Sequence, residues 1–230
     1  MSESAFARLW KVILPPPATG APVHQALNRK QKRLVLGAVS FCVLAGAGVW
    51  TYFYMAGAPQ RAEAQYQTAM QLMQPGHYQE AITQLGRSIR IYPLANAYVE
   101  RGFAHRYLAQ NDLAASDLEK AAELDPSLAR AYSGLGSIYR DRGDSQRALE
   151  EYTKSIQTSA NVDALFERGE VYESLGQHQK AIDDFSSAIE LLRDAPYIYR
   201  ARAMAKNNMG DTAGAEADRN LARSIESPHH

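Results

Sequence analysis

A regular spacing of small residues from residue 69 onward constrains the fold of this 230-residue chain more than any other feature. Three sets of positions show it: Ala69, Gly102, Gly136, Gly169 and Ala203; Ala81, Ala114, Ala148, Ala181 and Ala215; Ser88, Ala121, Ser155, Ala188 and Ala222. In each set the successive steps are 33, 34, 33 and 34 residues. A constant step of this size is the signature of a repeat protein, in which each unit buries its apolar face only against its neighbours. The sequence therefore predicts five structural repeats, with the small residues where two helices approach closely.

Each repeat is predicted to consist of two helices joined by a tight turn. Glycine readily takes the left-handed conformation that ends a helix, and four glycines mark such turns: Gly76, Gly143, Gly176 and Gly210. The second repeat has no glycine there, and its turn is assigned to Gln110-Asn111-Asp112 because Asn tolerates the same backbone region. The predicted repeats are residues 62–94, 95–128, 129–161, 162–195 and 196–226, which form a domain of residues 62–226 followed by a tail of residues 227–230.

The third and fourth repeats have the clearest motif. The third reads AYSGLGSIYRDRGDSQRALEEYTKSI, the fourth reads LFERGEVYESLGQHQKAIDDFSSAIEL, and the second ends in AAELDP. This pattern resembles the tetratricopeptide repeat family. The resemblance implies an all-α fold, a right-handed solenoid of about five helix–turn–helix repeats. The first and fifth repeats match less well. The first has Ala69 and Leu72 where Gly and Tyr are typical, and the fifth has Lys206 and Arg219 at positions that are usually aromatic. A terminal repeat needs a polar outer face, so this departure suits a cap.

The segment Leu34–Ala58 contains no charged residue. A helix of that length reaches roughly 37 Å, enough to cross a hydrocarbon core of about 30 Å, so we expect a single transmembrane helix here. Residues 29–33 read RKQKR. The positive-inside rule therefore places residues 1–33 in the cytoplasm and the repeats on the far side of the membrane, which is the periplasm if the source is bacterial. The alternatives are a cleaved signal peptide, whose apolar core would be shorter, and a buried soluble helix.

Two further features lie outside the repeats. Residues 4–14 place Phe6, Leu9, Trp10 and Ile13 on one side of a helix, which favours a short basic amphipathic helix at a membrane surface, followed by a Pro-rich linker. A disordered tail and a partner-docking helix are the open alternatives. Within the apolar segment, small residues fall four apart and permit close helix–helix packing in a possible homodimer: Ala38, Cys42 and Gly46.

The resemblance also implies that the first helix of each repeat lines a concave face where a protein partner binds. Carrying the groove positions over by register gives these candidates: Tyr66, Met70, Val99, Phe103, Arg106, Tyr107, Arg130, Ser133, Ser137, Arg140, Phe166, Glu170, Glu173, Arg200, Met204 and Asn207. Some members of the family hold a carboxylate there with a Lys/Asn clamp. The corresponding positions in this chain are Tyr66, Met70, Val99 and Phe103, so it has no such clamp.

We expect an extended peptide or a partner helix with apolar and acidic side chains to occupy this face. Aromatic and arginine side chains are the usual energetic centres of protein interfaces. The apolar anchors would be Phe103, Tyr107 and Phe166, and the charge partners would be Arg106, Arg130 and Arg140. The alternative is that these arginines form a solvated face without a specific ligand.

The composition argues against the other main classes of function. The chain has one cysteine, and its six histidines show no metal-ligand spacing except the terminal pair His229-His230, which is interpreted as a solvated tail. It contains no phosphate loop, nucleophile elbow or HExxH motif. We therefore predict no enzyme activity, no cofactor and no metal. The part after the apolar segment is mildly acidic, which argues against nucleic-acid binding. The acidic pairs Asp183-Asp184 and Glu150-Glu151 are interpreted as surface charge.

These patterns predict a membrane-anchored scaffold that binds other proteins and supports assembly of an envelope or membrane-associated complex. Two alternatives remain open. One is a structural protein whose repeats self-associate and organise the membrane. The other is an organelle import receptor with its repeats facing the cytosol, which would invert the predicted topology.

Overall fold

The structure is a computed structural model that describes residues 54–73 and 76–227. Those residues form ten consecutive helices: α1 Ala58–Met73, α2 Tyr78–Ile91, α3 Ala95–Tyr107, α4 Asn111–Leu124, α5 Ala129–Asp141, α6 Ser145–Thr158, α7 Val162–Ser174, α8 His178–Leu191, α9 Pro196–Asn208 and α10 Thr212–Glu226. The helices follow one another as pairs, and we call the odd-numbered helix of each pair its first helix. Helix α1 begins at Ala58, earlier than the predicted start of the repeats at residue 62.

The helix pairs stack side by side. From α2 onward each helix packs against the next one along the chain, and the first helices α3, α5, α7 and α9 also contact one another in succession. In the first pair, the Ser88 hydroxyl donates a hydrogen bond of 2.8 Å to the carbonyl of Ala62. The described part of the chain is therefore an all-helical solenoid.

The predicted membrane segment falls almost entirely outside the described residues. Of residues 34–58 only the last five are described, and the predicted amphipathic helix and the stripe Ala38, Cys42 and Gly46 lie outside as well. Across residues 54–73 and 76–227, no helix combines the length and the apolar character that crossing a membrane requires.

Local sequence explains where several helices begin. The Asp144 carboxylate accepts a 3.2 Å hydrogen bond from the backbone N–H of Arg147 and caps α6. The Asn161 side chain caps α7 in the same way, at 2.8 Å from the N–H of Ala164. Such caps satisfy backbone donors that the first turn of a helix leaves without partners.

The small residues of the register lie where the helices are closest. A Cβ atom added at Gly136 would stand 2.7 Å from the ring of Tyr152, and one added at Gly169 would stand 2.6 Å from the ring of Phe185. These distances are shorter than van der Waals contact, so only glycine fits opposite a buried ring. The alanine set at 81, 114, 148, 181 and 215 is completely buried. The prediction that small residues mark close helix contacts is confirmed.

Two sets of register positions hold apolar residues that pack in or against the core in the first four repeats and arginine in the last repeat. The first set is Leu85, Leu118, Tyr152, Phe185 and Arg219, and the second is Ile89, Ala122, Ile156, Ile189 and Arg223. The two arginines of the fifth repeat, with Met204, line an open cavity of about 440 Å³. Because charged residues replace the apolar ones at these two positions, the outer face of α9 and α10 is less suited than an inner repeat to packing against a sixth repeat, although Met204 remains exposed on it.

An ion pair that the sequence interpretation missed joins the two helices of three repeats. Arg101 donates two hydrogen bonds to Asp117, at 2.7 and 2.6 Å. The same bidentate geometry, again 16 residues apart in the chain, joins Arg168 to Asp184 and Arg202 to Asp218. The interpretation of Asp184 as surface charge is wrong. Asp184 is only 6% exposed, because its carboxylate faces the first helix of the same repeat.

The turn of the second repeat also differs from the prediction. Ala109 has φ 57°, while the turn glycines have φ between 69° and 86° at Gly76, Gly143, Gly176 and Gly210. The assignment of this conformation to Asn111 is wrong, since Asn111 is the first residue of α4. Ala109 lies in the same 33- and 34-residue register as the glycines, so position in the repeat, rather than residue preference, determines the left-handed residue.

We expect Ala109→Gly to raise the free energy of unfolding by about 0.5 kcal/mol. The substitution removes the strain that a Cβ causes in the left-handed conformation, which is worth about 1–2 kcal/mol. Glycine is more flexible in the unfolded chain, and this entropy offsets part of the gain. Chemical denaturation would measure the change. The reverse substitution Gly143→Ala is the control and should destabilise, although no atom lies within 4 Å of the added Cβ. A destabilised Ala109→Gly variant would contradict this account.

Candidate protein-binding groove

The first helices of four repeats enclose a cavity of about 430 Å³. We call the surface around it the first-helix groove. Its lining comes from α1, α3, α5 and α7, with Asn161 just before α7: Met73, Glu100, Phe103, Arg106, Tyr107, Arg130, Ser133, Gly134, Ser137, Asn161, Asp163 and Glu167. A second cavity of about 370 Å³ shares Phe103, Arg106 and Tyr107 with it. The structure thus brings six of the sequence-predicted residues together: Phe103, Arg106, Tyr107, Arg130, Ser133 and Ser137.

Aromatic side chains form one end of the first-helix groove. Tyr107 is 65% exposed and stacks on Tyr78, with the ring centroids 4.6 Å apart. Phe103 is half-buried, and the Arg130 guanidinium lies 5.1 Å from the centre of its ring. Tyr66 is also half-buried, and burial raises the pKa of its hydroxyl, with a further contribution from the charge of Glu100. Aromatic rings that are held in place at a surface in this way give a partner a contact area that loses little side-chain entropy on binding.

Two of the predicted groove residues belong largely to the core. Val99 is 1% exposed and lies in a buried cluster with Leu118 and Leu135, so its assignment to the groove is wrong. The reason is that α4 and α5 pack against α3 at this level of the helix. Phe166 is half-buried between Phe185, at 5.6 Å, and Tyr197, at 5.0 Å, and so joins α7 to α9.

Each of the three groove arginines already faces a carboxylate. Arg130 and Glu100 approach to 2.5 Å, and Glu100 is 4% exposed. Arg106 lies 3.2 Å from Asp141. Arg140 stands between three carboxylates that lie within 4 Å of it: Asp141 at 3.5 Å, Glu167 at 3.7 Å and Glu170 at 3.6 Å. The arginines therefore link neighbouring repeats instead of standing free for an acidic ligand.

Helix α7 gives the first-helix groove an acidic side. Asp163, Glu167, Glu170 and Glu173 fall at helical spacing. The Glu167 carboxylate accepts 2.6 Å hydrogen bonds from the hydroxyls of Ser137 and Tyr152. Burial, together with the charge of Glu167, raises the pKa of the Tyr152 hydroxyl.

The charge of Glu170 is less well compensated than that of Glu167. Burial raises its pKa; Arg140 lowers it, and Glu167 adds to the rise. Sequence reasoning missed the groove roles of Glu100, Asp163 and Glu167. Glu100 and Glu167 occupy the same position of their repeats, and this recurrence of an acidic residue is the sequence signal that could have identified them.

The first-helix groove contains a buried hydrogen-bond donor that has no partner among the residues that the structure describes. In the described part of the chain, the Nε atom of Arg106 is the one buried side-chain donor or acceptor without a hydrogen-bond partner. Such a donor costs about 1–3 kcal/mol. The residue lines both cavities, beside the exposed Tyr107.

The remaining candidates lie at the fourth and fifth repeats. Glu173 accepts hydrogen bonds from Asn208 at 2.5 Å and is bonded to a ring nitrogen of His178 at 2.8 Å. Arg200 pairs with Glu226. Met204 is 59% exposed and shares the terminal cavity with Arg200 and Asn207. Within residues 54–73 and 76–227, no cluster of His, Cys, Asp and Glu has the arrangement of a metal site.

Family models and known proteins resemble this chain in its repeats. Two models of the tetratricopeptide repeat match, at residues 99–161 and 162–194. Small glutamine-rich tetratricopeptide repeat-containing protein 2 of Saccharomyces cerevisiae is 38% identical over 80 residues, which are 34% of this chain and 23% of the yeast protein. Bacteriophage adsorption protein A of Escherichia coli is 40% identical over 76 residues, 33% of this chain and 8% of that protein. The match thus spans less than a quarter of either relative.

Solved structures show the same fold over a larger part of the chain. A structure of PilF from Pseudomonas aeruginosa superposes with a TM-score of 0.68 at 18% identity and covers 74% of this chain and 78% of that one. A crystal structure of MamA gives a TM-score of 0.63 at 23% identity, covering 70% and 95%. At this identity the likeness concerns the fold alone.

The chain is therefore a helical-repeat protein, the class whose stacked pairs present extended surfaces to other proteins. More specifically, residues 99–194 are tetratricopeptide repeats, and the helix pairs on either side continue the same architecture. The resemblance seen in the sequence is confirmed for the repeats.

Proposed function

We propose that this chain is a membrane-anchored scaffold that binds protein partners in its first-helix groove and supports assembly of an envelope or membrane-associated complex. The apolar segment Leu34–Ala58 would be the single anchor. The residues before it would lie in the cytoplasm and the repeats on the far side. The observation that supports partner binding most directly is the cavity beside the exposed Tyr107, with the unsatisfied Arg106 donor at its edge.

A self-associating array is the less favoured alternative, because of the last repeat. Arg219 and Arg223 occupy positions that are apolar in the four preceding repeats. Head-to-tail stacking through the outer face of α9 and α10 would bring these charges against a second chain. Both arginines pair with Glu216 at the surface, and desolvating this exposed charged cluster against a second chain is costly.

A photo-crosslinking amino acid placed at Tyr107 in the full-length chain, expressed in its native cells, should form covalent adducts with a small number of other proteins. The same amino acid placed at Glu190, on the exposed side of α8, is the control and should form none. Adducts are expected from Tyr107 because its side chain is exposed beside the cavity. Gel mobility and mass spectrometry of the adducts provide the measurement. Equal adduct patterns from both positions, or none from Tyr107, would contradict binding in the groove.

A further inference from the structure

We infer that the first-helix groove takes a segment of a partner protein that places an apolar side chain beside Phe103 and Tyr107 and a basic side chain against Asp163 and Glu170. This inference rests on the proposed function and specifies the chemistry of its partner. The partner inferred here is basic, whereas the groove arginines, taken from the sequence alone, suggest an acidic partner.

The arginines are the first step in the argument. A cation that already pairs with a carboxylate of the chain attracts an acidic ligand less strongly, because its charge is already compensated. Arg130 covers the buried carboxylate of Glu100, and removing that cation would leave Glu100 charged and unpaired in a position that is 4% exposed. An unpaired buried charge is far more costly than an exposed ion pair is stabilising. An acidic ligand therefore gains little from Arg130. Arg106 also faces a carboxylate, that of Asp141, but Asp141 is more exposed than Glu100 and depends less on its cation.

The carboxylates of α7 are the second step. Arg140 is shared between Asp141, Glu167 and Glu170, and Asp141 also pairs with Arg106, so two cations stand against three anions. Asp163 takes part in none of the ion pairs found among the described residues, and it is exposed at the edge of the cavity. The side chain of Glu170 is 48% exposed. Asp163 at the cavity and Glu170, one turn beyond the lining residue Glu167 on α7, therefore supply the least compensated negative charge on this side of the groove, and a basic side chain complements it.

The shape of the groove is the third step. One continuous cavity is lined by Phe103 and Tyr107 on α3 and by Asp163 and Glu167 on α7. A single short segment can therefore contact both ends at once. Its apolar side chain would cover the exposed ring of Tyr107, and burial of such a ring is a common source of binding energy at interfaces. The occupant to which these contacts point is an amphipathic basic segment of another protein.

A library of random 12-residue peptides displayed on phage, selected on the immobilised full-length chain, tests the inference. Selected peptides would be synthesised with a fluorescent label and measured by anisotropy. We expect an aromatic or aliphatic residue together with Lys or Arg in the enriched sequences. Peptides in which Lys and Arg are exchanged for Glu should bind at least tenfold more weakly, and binding should weaken as salt is added.

Matched variants connect the result to the groove. Asp163→Asn combined with Glu170→Gln should weaken binding about fivefold, the size expected for two exposed charge pairs. Asp183→Asn with Glu190→Gln removes the same charge from the exposed side of the other helix of this repeat and should leave affinity unchanged. Circular dichroism would verify that both variants keep their helix content.

The outcomes separate this inference from the proposed function. Enriched peptides rich in Asp and Glu that lose affinity in a Tyr107→Ala variant would overturn the sign of the charge and leave partner binding in the groove standing. Equal affinity of the two double variants for basic peptides would also overturn the inference. Failure to enrich any peptide that is sensitive to Tyr107→Ala would overturn both proposals.

Discussion

Replacing Asp184 with leucine is expected to lower the free energy of unfolding by about 3 kcal/mol. The Asp184 carboxylate receives two hydrogen bonds from Arg168, at 2.8 and 2.7 Å, and the residue is 6% exposed. Removing one partner of a buried ion pair leaves the other charged and desolvated, which costs about 3–5 kcal/mol in known cases. Arg168 keeps a 3.0 Å hydrogen bond to Thr153 and its position 5.8 Å from the centre of the Tyr172 ring, so we expect the lower end of that range. Thermal unfolding should show a decrease in Tm of roughly 6–12 °C.

The third repeat provides the control for this prediction. It has Leu135, 5% exposed, at the position that Arg168 occupies in the fourth repeat, so the fold accepts an apolar residue there. The double variant Arg168→Leu with Asp184→Leu should therefore be more stable than the sum of the two single changes predicts, by about 2 kcal/mol in a double-mutant cycle. Asp183→Leu, on the exposed side of α8, should change stability by less than about 0.5 kcal/mol. An Asp184→Leu variant as stable as Asp183→Leu would show that the pair has no structural role.

The ion pair at Asp218 adds a pH dependence to the same feature. Burial alone would raise the pKa of Asp218, but hydrogen bonds from Arg202 and Lys206 outweigh it, so the pKa is lower than in the unfolded chain. The folded state then binds the proton less readily than the unfolded state does. The stabilisation from Asp218 is consequently present above the unfolded pKa, near 3.9, and disappears as the pH falls through the lower folded value.

The helix pairs were predictable because small residues act locally in the register. Gly136 and Gly169 must be small since a ring lies opposite them, and Gly102 must be small since Leu118 lies opposite it at the same position of the second repeat. The Arg–Asp pairs were missed although they recur 16 residues apart. The first and third repeats interrupt the pattern with Thr68 and Leu135, and nothing in a helical period brings two residues of different helices together.

The groove was harder to predict than the core. Its positions could be named from the register, but the charge partners of Arg106 and Arg130 lie 35 and 30 residues away, in the next and the preceding repeat. Those distances depend on how one helix pair is placed against another, which a period in the sequence does not specify. From the sequence, arginines that pair within the protein are therefore indistinguishable from arginines available to an acidic ligand. The acidic side of α7 is likewise recognisable only once the helix pairs are placed against one another.

Replacing Gly169 with alanine should destabilise the protein by about 2 kcal/mol, although alanine is the better helix former by about 1 kcal/mol. The added Cβ would stand 2.6 Å from one ring atom of Phe185 and 3.0 Å from two others. Phe185 is 1% exposed and cannot move aside freely, so the helices must separate or the ring must leave its rotamer. Denaturation with guanidinium chloride would measure the loss. Ala203→Gly, at the same register position in the last repeat, is the control and should also destabilise, through the helix-propensity difference and the loss of a buried methyl group.

The first repeat suggests how this damage can be repaired. There the pair at the same two positions is Ala69 and Leu85, both completely buried, so an alanine is compatible with a smaller residue opposite it. Phe185→Leu alone should cost about 1–2 kcal/mol through the space it leaves. The double variant Gly169→Ala with Phe185→Leu should lose clearly less stability than the sum of the two single changes, because the alanine methyl fills part of that space. We expect a coupling energy between the two changes of at least about 1 kcal/mol. Strictly additive losses would mean that the methyl and the ring do not compete for the same volume, and contact with the Phe185 ring would then not be the reason why residue 169 is a glycine.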